Sequence, residues 1–586
     1  MKKLLSILLV LCLLSGLTAF ASGEASGSAS GDASASAEAD TGPKAVFVFG
    51  DGGEDRENEQ TDGYELTWFE NGGRDSAGIH GFHLFSERSD TALYYSEPTQ
   101  ETGSVFTIGG DGDNVSVVGD FEAIRWMQDV GVRSYDSAVS LLDGDGADSC
   151  PPVISAKGWT NLYLKNLYLR ADGAARSAFY SDVSGGSTVP GPGSGGKQGS
   201  ESPVVVVANS LLETTGGADV SGEIAVGASG GRARGIQPQG KSITYLYNSA
   251  IVSRTWGAWS TDSARQSLDL VAWRSLGLSQ GGYGAYADTS CRLFLYGSTL
   301  VGSSDGVVAS NNGEIYATDS ADTTNSTALR AVMGRSSAPR DLCWTDFPAA
   351  GDTFRSVIKG GQAAVQFHMP DLGHSGARNQ TQGTLYMKGG ALVTDKSLIA
   401  GGLEGIAAYN RHYAGACIVT KSAQTSALLQ GTEMDSWKGV LIHCVINSDS
   451  NVNSIADGDA TIGSTITLQD MDVSGDVIHD DYQRELYLNL DRTTLSGAIH
   501  SNTCRDWNDL CMAEFGGNYI LNPDGYDTWW GVTVTLSNGA VWDVTDVSVV
   551  TDLVVGDGCR VNGAITENPD GTLTVSPLSS GEASAS

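Results

Sequence analysis

Proline is scarce in this chain, with 14 among 586 residues, while glycine reaches 76. That ratio excludes an extended Pro-rich protein and leaves a chain full of corners that need positive φ. Positive charge is scarce as well. Against 69 Asp and Glu stand 35 Lys and Arg, for a formal net charge of −34. Beyond Lys2 and Lys3 no basic cluster occurs, so no nucleic-acid partner and no binding to anionic membrane is expected. A CxxC pair is missing, which removes the usual zinc arrangement. No Gly-x-Ser-x-Gly elbow, Walker loop or Gly-x-Gly-x-x-Gly phrase stands at a strand-to-helix junction, so serine-hydrolase and nucleotide chemistry lack support. Long helical stripes are also few. The apolar residues, 40% of the chain, come in strand-length bursts.

What is present begins with an export signal. Met1-Lys2-Lys3 is a charged start, Leu4 to Leu14 an apolar run, and Ala19-Phe20-Ala21 a cleavage phrase, so residues 1–21 read as a signal peptide. The expected location is secreted, extracellular or attached to the cell surface, with no membrane span after cleavage. Residues 22–43 form a Ser/Ala/Gly-rich linker, and 577–586 repeat its vocabulary as a disordered tail. Residues 44–104, with Asp/Glu/Gly clusters, read as an N-terminal cap or insertion, and 105–576 as the repeating body.

The repeat is plainest near the end. Val473-Ser474-Gly475-Asp476-Val477 returns 22 residues on as Leu495-Ser496-Gly497-Ala498-Ile499, and again as Val561-Asn562-Gly563-Ala564-Ile565. Each copy follows an alternating run: Ile466/Leu468, Leu486/Leu488/Leu490, then Leu553/Val555. Earlier, Leu162-Tyr-Leu-Lys-Asn166-Leu-Tyr-Leu169 recurs around Asn209 and Asn248, and around Gly297 with Gly in the Asn slot. Asn or Gly there suits a left-handed corner between two strands, and stacked Asn side chains could form a ladder. Leu268 to Leu276 reads as an intermediate turn, while 184–201, 317–378 and 429–456 read as interruptions. A period near 22 with short strands and Gly corners predicts an all-β, parallel β-helical solenoid.

The last coils, Val532 to Thr545 and Ser548 to Val555, resemble the final passenger coils of pertactin-type β-helix proteins. The signal peptide, Ser/Ala/Gly linker and Asn/Gly coils together resemble secreted, adhesin-like right-handed β-helix proteins of Gram-positive anaerobes. That resemblance implies a single-stranded right-handed helix and a surface role, binding glycans or host or bacterial surfaces. Polysaccharide lyases and glycoside hydrolases share the fold, so an extracellular enzyme of that kind is the alternative.

Four sets of residues could carry chemistry. Trp256, Trp259 and Asp262, with Tyr283, Tyr286 and Asp288 one coil on, pair aromatics with carboxylates as sugar sites do. His412 with Asp435, and His479 with Asp480, are the acid/base candidates for polysaccharide cleavage. Asp111, Asp113, Asp143 and Asp145 alternate with other residues in Gly-rich loops and could hold Ca²⁺, although turn chemistry alone also explains Asp-Gly pairs. Cys504 and Cys511 bracket one loop and are the expected disulfide in an exported protein.

Overall fold

The computed structural model places all described residues within the unit Pro43–Ser586. Described are 45–50, 56–57, 82–86, 105–108, 115–120, 154–158, 161–172, 178–182, 204–214, 234–238, 242–253, 283–287, 290, 291–310, 312–321, 353–368, 382–398, 415–421, 423–445, 463–481, 484–501 and 531–578.

They form a parallel β-helix. Three long sheets run along it, of 12, 10 and 11 strands, and the second continues into a smaller sheet of 6. Each coil lays one strand in the first sheet, turns a corner into the second, bends into the third, and returns. One coil is Ile243–Tyr247, Ala250–Ser253, Tyr283–Ala287, and the next begins at Arg292–Tyr296 in register on Ile243–Tyr247. The stack takes in Ala45–Gly50, paired with Val115–Asp120, and Phe82–Ser86, paired with Ile154–Gly158. Strands inside the 44–104 segment are therefore part of the sheets.

Alternation builds the core. In the first sheet Leu164, Val207, Leu246 and Leu295 sit in successive register and are fully buried, as are Leu468 and Leu490 further along. Each such leucine contributes about 1.5–3 kcal/mol of burial. Because every coil repeats the same inward row, the core is one continuous column from Ile154 to Val575.

The corners are left-handed, as the Asn/Gly slot predicts. Asn166, Asn209, Asn248 and Gly297 have φ of 52°, 49°, 43° and 56°. Later coils put Asp470, Arg492 and Asn538 in that slot at φ of 54°, 50° and 55°. The hydrogen-bond ladder beside these corners runs through the following serine. Ser210 Oγ accepts from Leu167 N–H at 3.0 Å, Ser249 Oγ from Ser210 N–H at 3.1 Å, and Ser298 Oγ from Ser249 N–H at 3.1 Å. Each hydroxyl donates to the carbonyl two residues back, Ser249 to Tyr247 at 2.8 Å. One side chain thus satisfies two strand-end groups and ties consecutive coils together.

Three sequence readings need correction. Ile243–Tyr247 and Arg292–Tyr296 are direct neighbours, so 268–276 supplies no turn between them in that sheet. Val357–Gly360 and Ala363–His368 belong to the second and third sheets, so 317–378 is not one interruption. Glu433–Asp435 and Val440–Val445, inside the region read as 429–456, complete a regular coil that starts with Gln424–Gln430. Val440–Val445 is buried at every position, so it shows no alternation, and Val357–Gly360 is only four residues long.

At the end, Arg560–Glu567 pairs with Val541–Val544, then turns back antiparallel onto Leu573–Pro577, which also pairs with Ser548–Val550. This hairpin closes the last coil. The third copy of the Gly phrase stays in register, Val561 on Trp542, before leaving the coil.

Candidate functional site

The outward positions of the first sheet hold a feature that the sequence reading did not single out. In successive coils Tyr245, Phe294 and Tyr316 occupy the same register. Their rings stack with centroids 4.9 Å apart at both steps, tilted 16° and 12°. Two residues along, Tyr247 and Tyr296 make a second column at 4.9 Å and 8°. The columns stand side by side, the Tyr245 and Tyr247 centroids 6.3 Å apart and their planes within 14°. All five rings are half-buried. Outward aromatics on adjacent strands pack because strand spacing matches ring stacking.

Polar groups border the columns. Arg292 and Glu314 face each other in register, Arg292 exposed, and Tyr316 donates its hydroxyl to Glu314 Oε2 at 2.9 Å. Burial, aided by the Glu314 carboxylate, pushes the Tyr316 phenol up to about 12. Burial likewise raises Tyr245, Tyr247 and Tyr296. All four phenols are therefore neutral hydrogen-bond donors at neutral pH. Rings that face each other turn their edges and hydroxyls to solvent. On the preceding coil Val206 and Ala208 stand in register with Tyr245 and Tyr247; on the following side Thr318 stands in register with Tyr296 and Tyr386 with Tyr316.

The acid/base candidates come apart. Asp435 is exposed on the second sheet, at the end of Glu433–Asp435. His479 ends a third-sheet strand, Asp476–His479, and Asp480 follows it; both are buried. No described hydrogen bond or ion pair joins Asp435 to them, and His412 lies outside the described residues. What surrounds His479 is a buried polar cluster. His443 Nε2 and Asp480 Oδ2 are 2.7 Å apart, Arg484 Nη1 donates to Asp481 at 2.8 Å, and His479 Nε2 meets the Arg484 carbonyl at 2.9 Å. None of these five side chains belongs to a residue more than 5% exposed. Burial depresses the His479 pKa against the opposing pull of Asp481, Asp480 and Glu485. A general acid or base must reach a substrate proton. Sealed from solvent, this cluster reads as a clamp between coils.

The aromatic-carboxylate candidate is only partly described. Tyr283 lies on the third-sheet strand Tyr283–Ala287. Tyr286 is 4% exposed and packs against Val308, so it is not a surface contact. Trp256, Trp259, Asp262 and Asp288 lie outside the described residues, as do the Ca²⁺ candidates Asp111, Asp113, Asp143 and Asp145 and the pair Cys504 and Cys511. Among described cysteines, Cys291, Cys417 and Cys444 are buried and Cys559 is half-buried.

One phrase with a chemical spacing went unread. Gly235 to Gly240-Lys241-Ser242 matches a phosphate loop in spelling. Its setting differs: Arg234–Pro238 and Ile243–Tyr247 are both strands, no helix follows, and a Cβ at Gly235 would sit 2.5 Å from the Gly284 carbonyl oxygen. The glycine serves coil packing. No protein family and no curated protein matches this chain.

Proposed function

We propose that this chain is a secreted or cell-surface, adhesin-like protein that binds glycans through the first-sheet face of its β-helix. The observation that carries the reading is the pair of aromatic columns, Tyr245–Phe294–Tyr316 and Tyr247–Tyr296, on an outward face flanked by Arg292 and Glu314. Half-exposed rings leave apolar surface in water at a cost that a bound partner removes. Rings joined to hydroxyl and charged groups suit sugars, which present C–H faces and hydroxyl rims. The export signal and the adhesin-like resemblance of the coils support an extracellular partner.

A glycan array probed with the purified protein tests this. Binding is expected, and the double variant Tyr247→Ala/Tyr296→Ala is expected to lose about tenfold or more in affinity while keeping the wild-type circular dichroism. No binding to any glycan, or equal binding by the variant, contradicts the reading.

A further inference from the structure

The aromatic columns begin beside a row of short side chains, a gap in the run of outward aromatics. One coil before Tyr245 and Tyr247 the register holds Val206 and Ala208, and one coil before those it holds Tyr163 and Lys165. Two aromatic positions, Tyr163 and Tyr245, therefore flank a position with a short side chain, and Lys165 and Tyr247 flank another. Two strand steps separate the flanking rows by about 9.5 Å. A ring held between two others needs about 7–8 Å for its two van der Waals contacts, so the remainder suits a puckered ring. All four of Tyr163, Lys165, Tyr245 and Tyr247 are half-buried, as are Val206 and Ala208 on the floor.

Lys165 sets the chemistry. It has no ion-pair partner among the described residues, in a chain with net charge −34. The paired face of Tyr245 and Tyr247, planes within 14°, lies on the opposite side of the gap.

We propose that this gap is a subsite for one acidic pyranose, a uronate residue of a polysaccharide. Its ring rests on the faces of Tyr245 and Tyr247 above Val206 and Ala208, and its carboxylate meets the Lys165 ammonium. The inference rests on the glycan-binding reading and narrows it to a place and a sugar class.

Val206→Phe tests it, because a phenyl ring there fills the gap by extending the Tyr245 column. Titration calorimetry with a galacturonic-acid trisaccharide, and with the galactose trisaccharide as neutral counterpart, gives the readout. Wild-type protein is expected to bind the acidic sugar more tightly, with the preference shrinking at high salt. Val206→Phe is expected to lose about tenfold or more for the acidic trisaccharide, with a thermal midpoint equal to or above wild type. Lys165→Gln is expected to abolish the acidic preference and keep the neutral affinity. Unchanged binding by Val206→Phe overturns the subsite and leaves the glycan-binding face standing. So does failure of both trisaccharides while array glycans still bind. No glycan binding of any kind overturns both.

Discussion

The coils at 243–318 and those at 463–537 share an interior and differ outside. Inside, Leu246 and Leu295 in the one, and Leu468 and Leu490 in the other, occupy the same inward row at no measurable exposure. Outside, the early coils carry stacked aromatics, whereas the later ones carry a polar lattice. Gln469 donates to Asp491 at 2.6 Å, Asn489 to Thr467 at 3.3 Å, and Arg492 pairs with Asp470 across 22 residues. The corners differ too: Asn248 and Gly297 early, Asp470 and Arg492 late. The inward row fixes the solenoid, and the outward row is free to specialise. Of these two regions, the early coils stack outward aromatics, while the late coils set the outward Tyr487 between Thr465 and Thr533.

The largest break belongs to the late coils. A Cβ at Gly497 would lie 1.9 Å from the Gly475 carbonyl oxygen, with no flexible side chain to yield. Gly497→Ala is expected to cost about 3 kcal/mol or more in a denaturant titration. Gly539, with φ of 86° and nothing within 4 Å of an added Cβ, should cost only about 1–2 kcal/mol on the same change, from backbone strain alone.

In the early coils the comparable break is smaller and polar. Ser249→Ala removes a hydroxyl that accepts from Ser210 N–H and donates to the Tyr247 carbonyl, both buried or nearly so. The expected loss is about 1–2 kcal/mol, with hydrogen exchange rising at Ser210.

Acid and alkali should separate the regions. Burial depresses the folded pKa of His479, so its contribution is complete above the ordinary imidazole range and is lost as pH falls through the folded value. Burial raises the column tyrosines, so theirs is complete below the ordinary phenol value and is lost as pH rises, through about 12 for Tyr316. Hydrogen exchange below the imidazole range should open the coil around 440–485 first. Phenolate absorbance should show the four column phenols ionising after the exposed ones.

The smallest effect is at the late corner. Arg492 beside Asp470 holds that carboxyl below its usual range. Its stabilisation is present above the usual carboxylate value and fades as pH falls below it. Both side chains are solvent-exposed, so Asp470→Asn should barely move the thermal midpoint at neutral pH and moderate salt.

The solenoid could be read in the sequence because its signal is local. Leu486, Leu488 and Leu490 alternate within one strand, and the corner residue sits at a fixed offset. The 22-residue return of Gly475 at Gly497 is confirmed by Gly475 N–H bonding to the Ser496 carbonyl at 2.9 Å. Val357–Gly360 carried too few inward residues to announce itself between regions without a phrase. The aromatic columns stayed hidden for a different reason. Tyr245, Phe294 and Tyr316 are separated by unequal steps, so only the register across coils reveals them as one stack. The signal available was aromatic residues at outward positions of the repeated phrase, a pattern that a strand's own preference for tyrosine also produces. Tyr283 and Tyr286 drew attention by contrast, and the buried Tyr286 shows that aromatic spacing alone does not tell face from core.

Hydrogen exchange with a bound array-selected glycan tests the central claim most directly, since it maps contact onto both regions at once. Slowed exchange is expected in first-sheet strands between 204 and 318, with the strands at 463–537 unchanged. Protection confined to 463–537, or to the second and third sheets, would contradict a glycan face built on the aromatic columns.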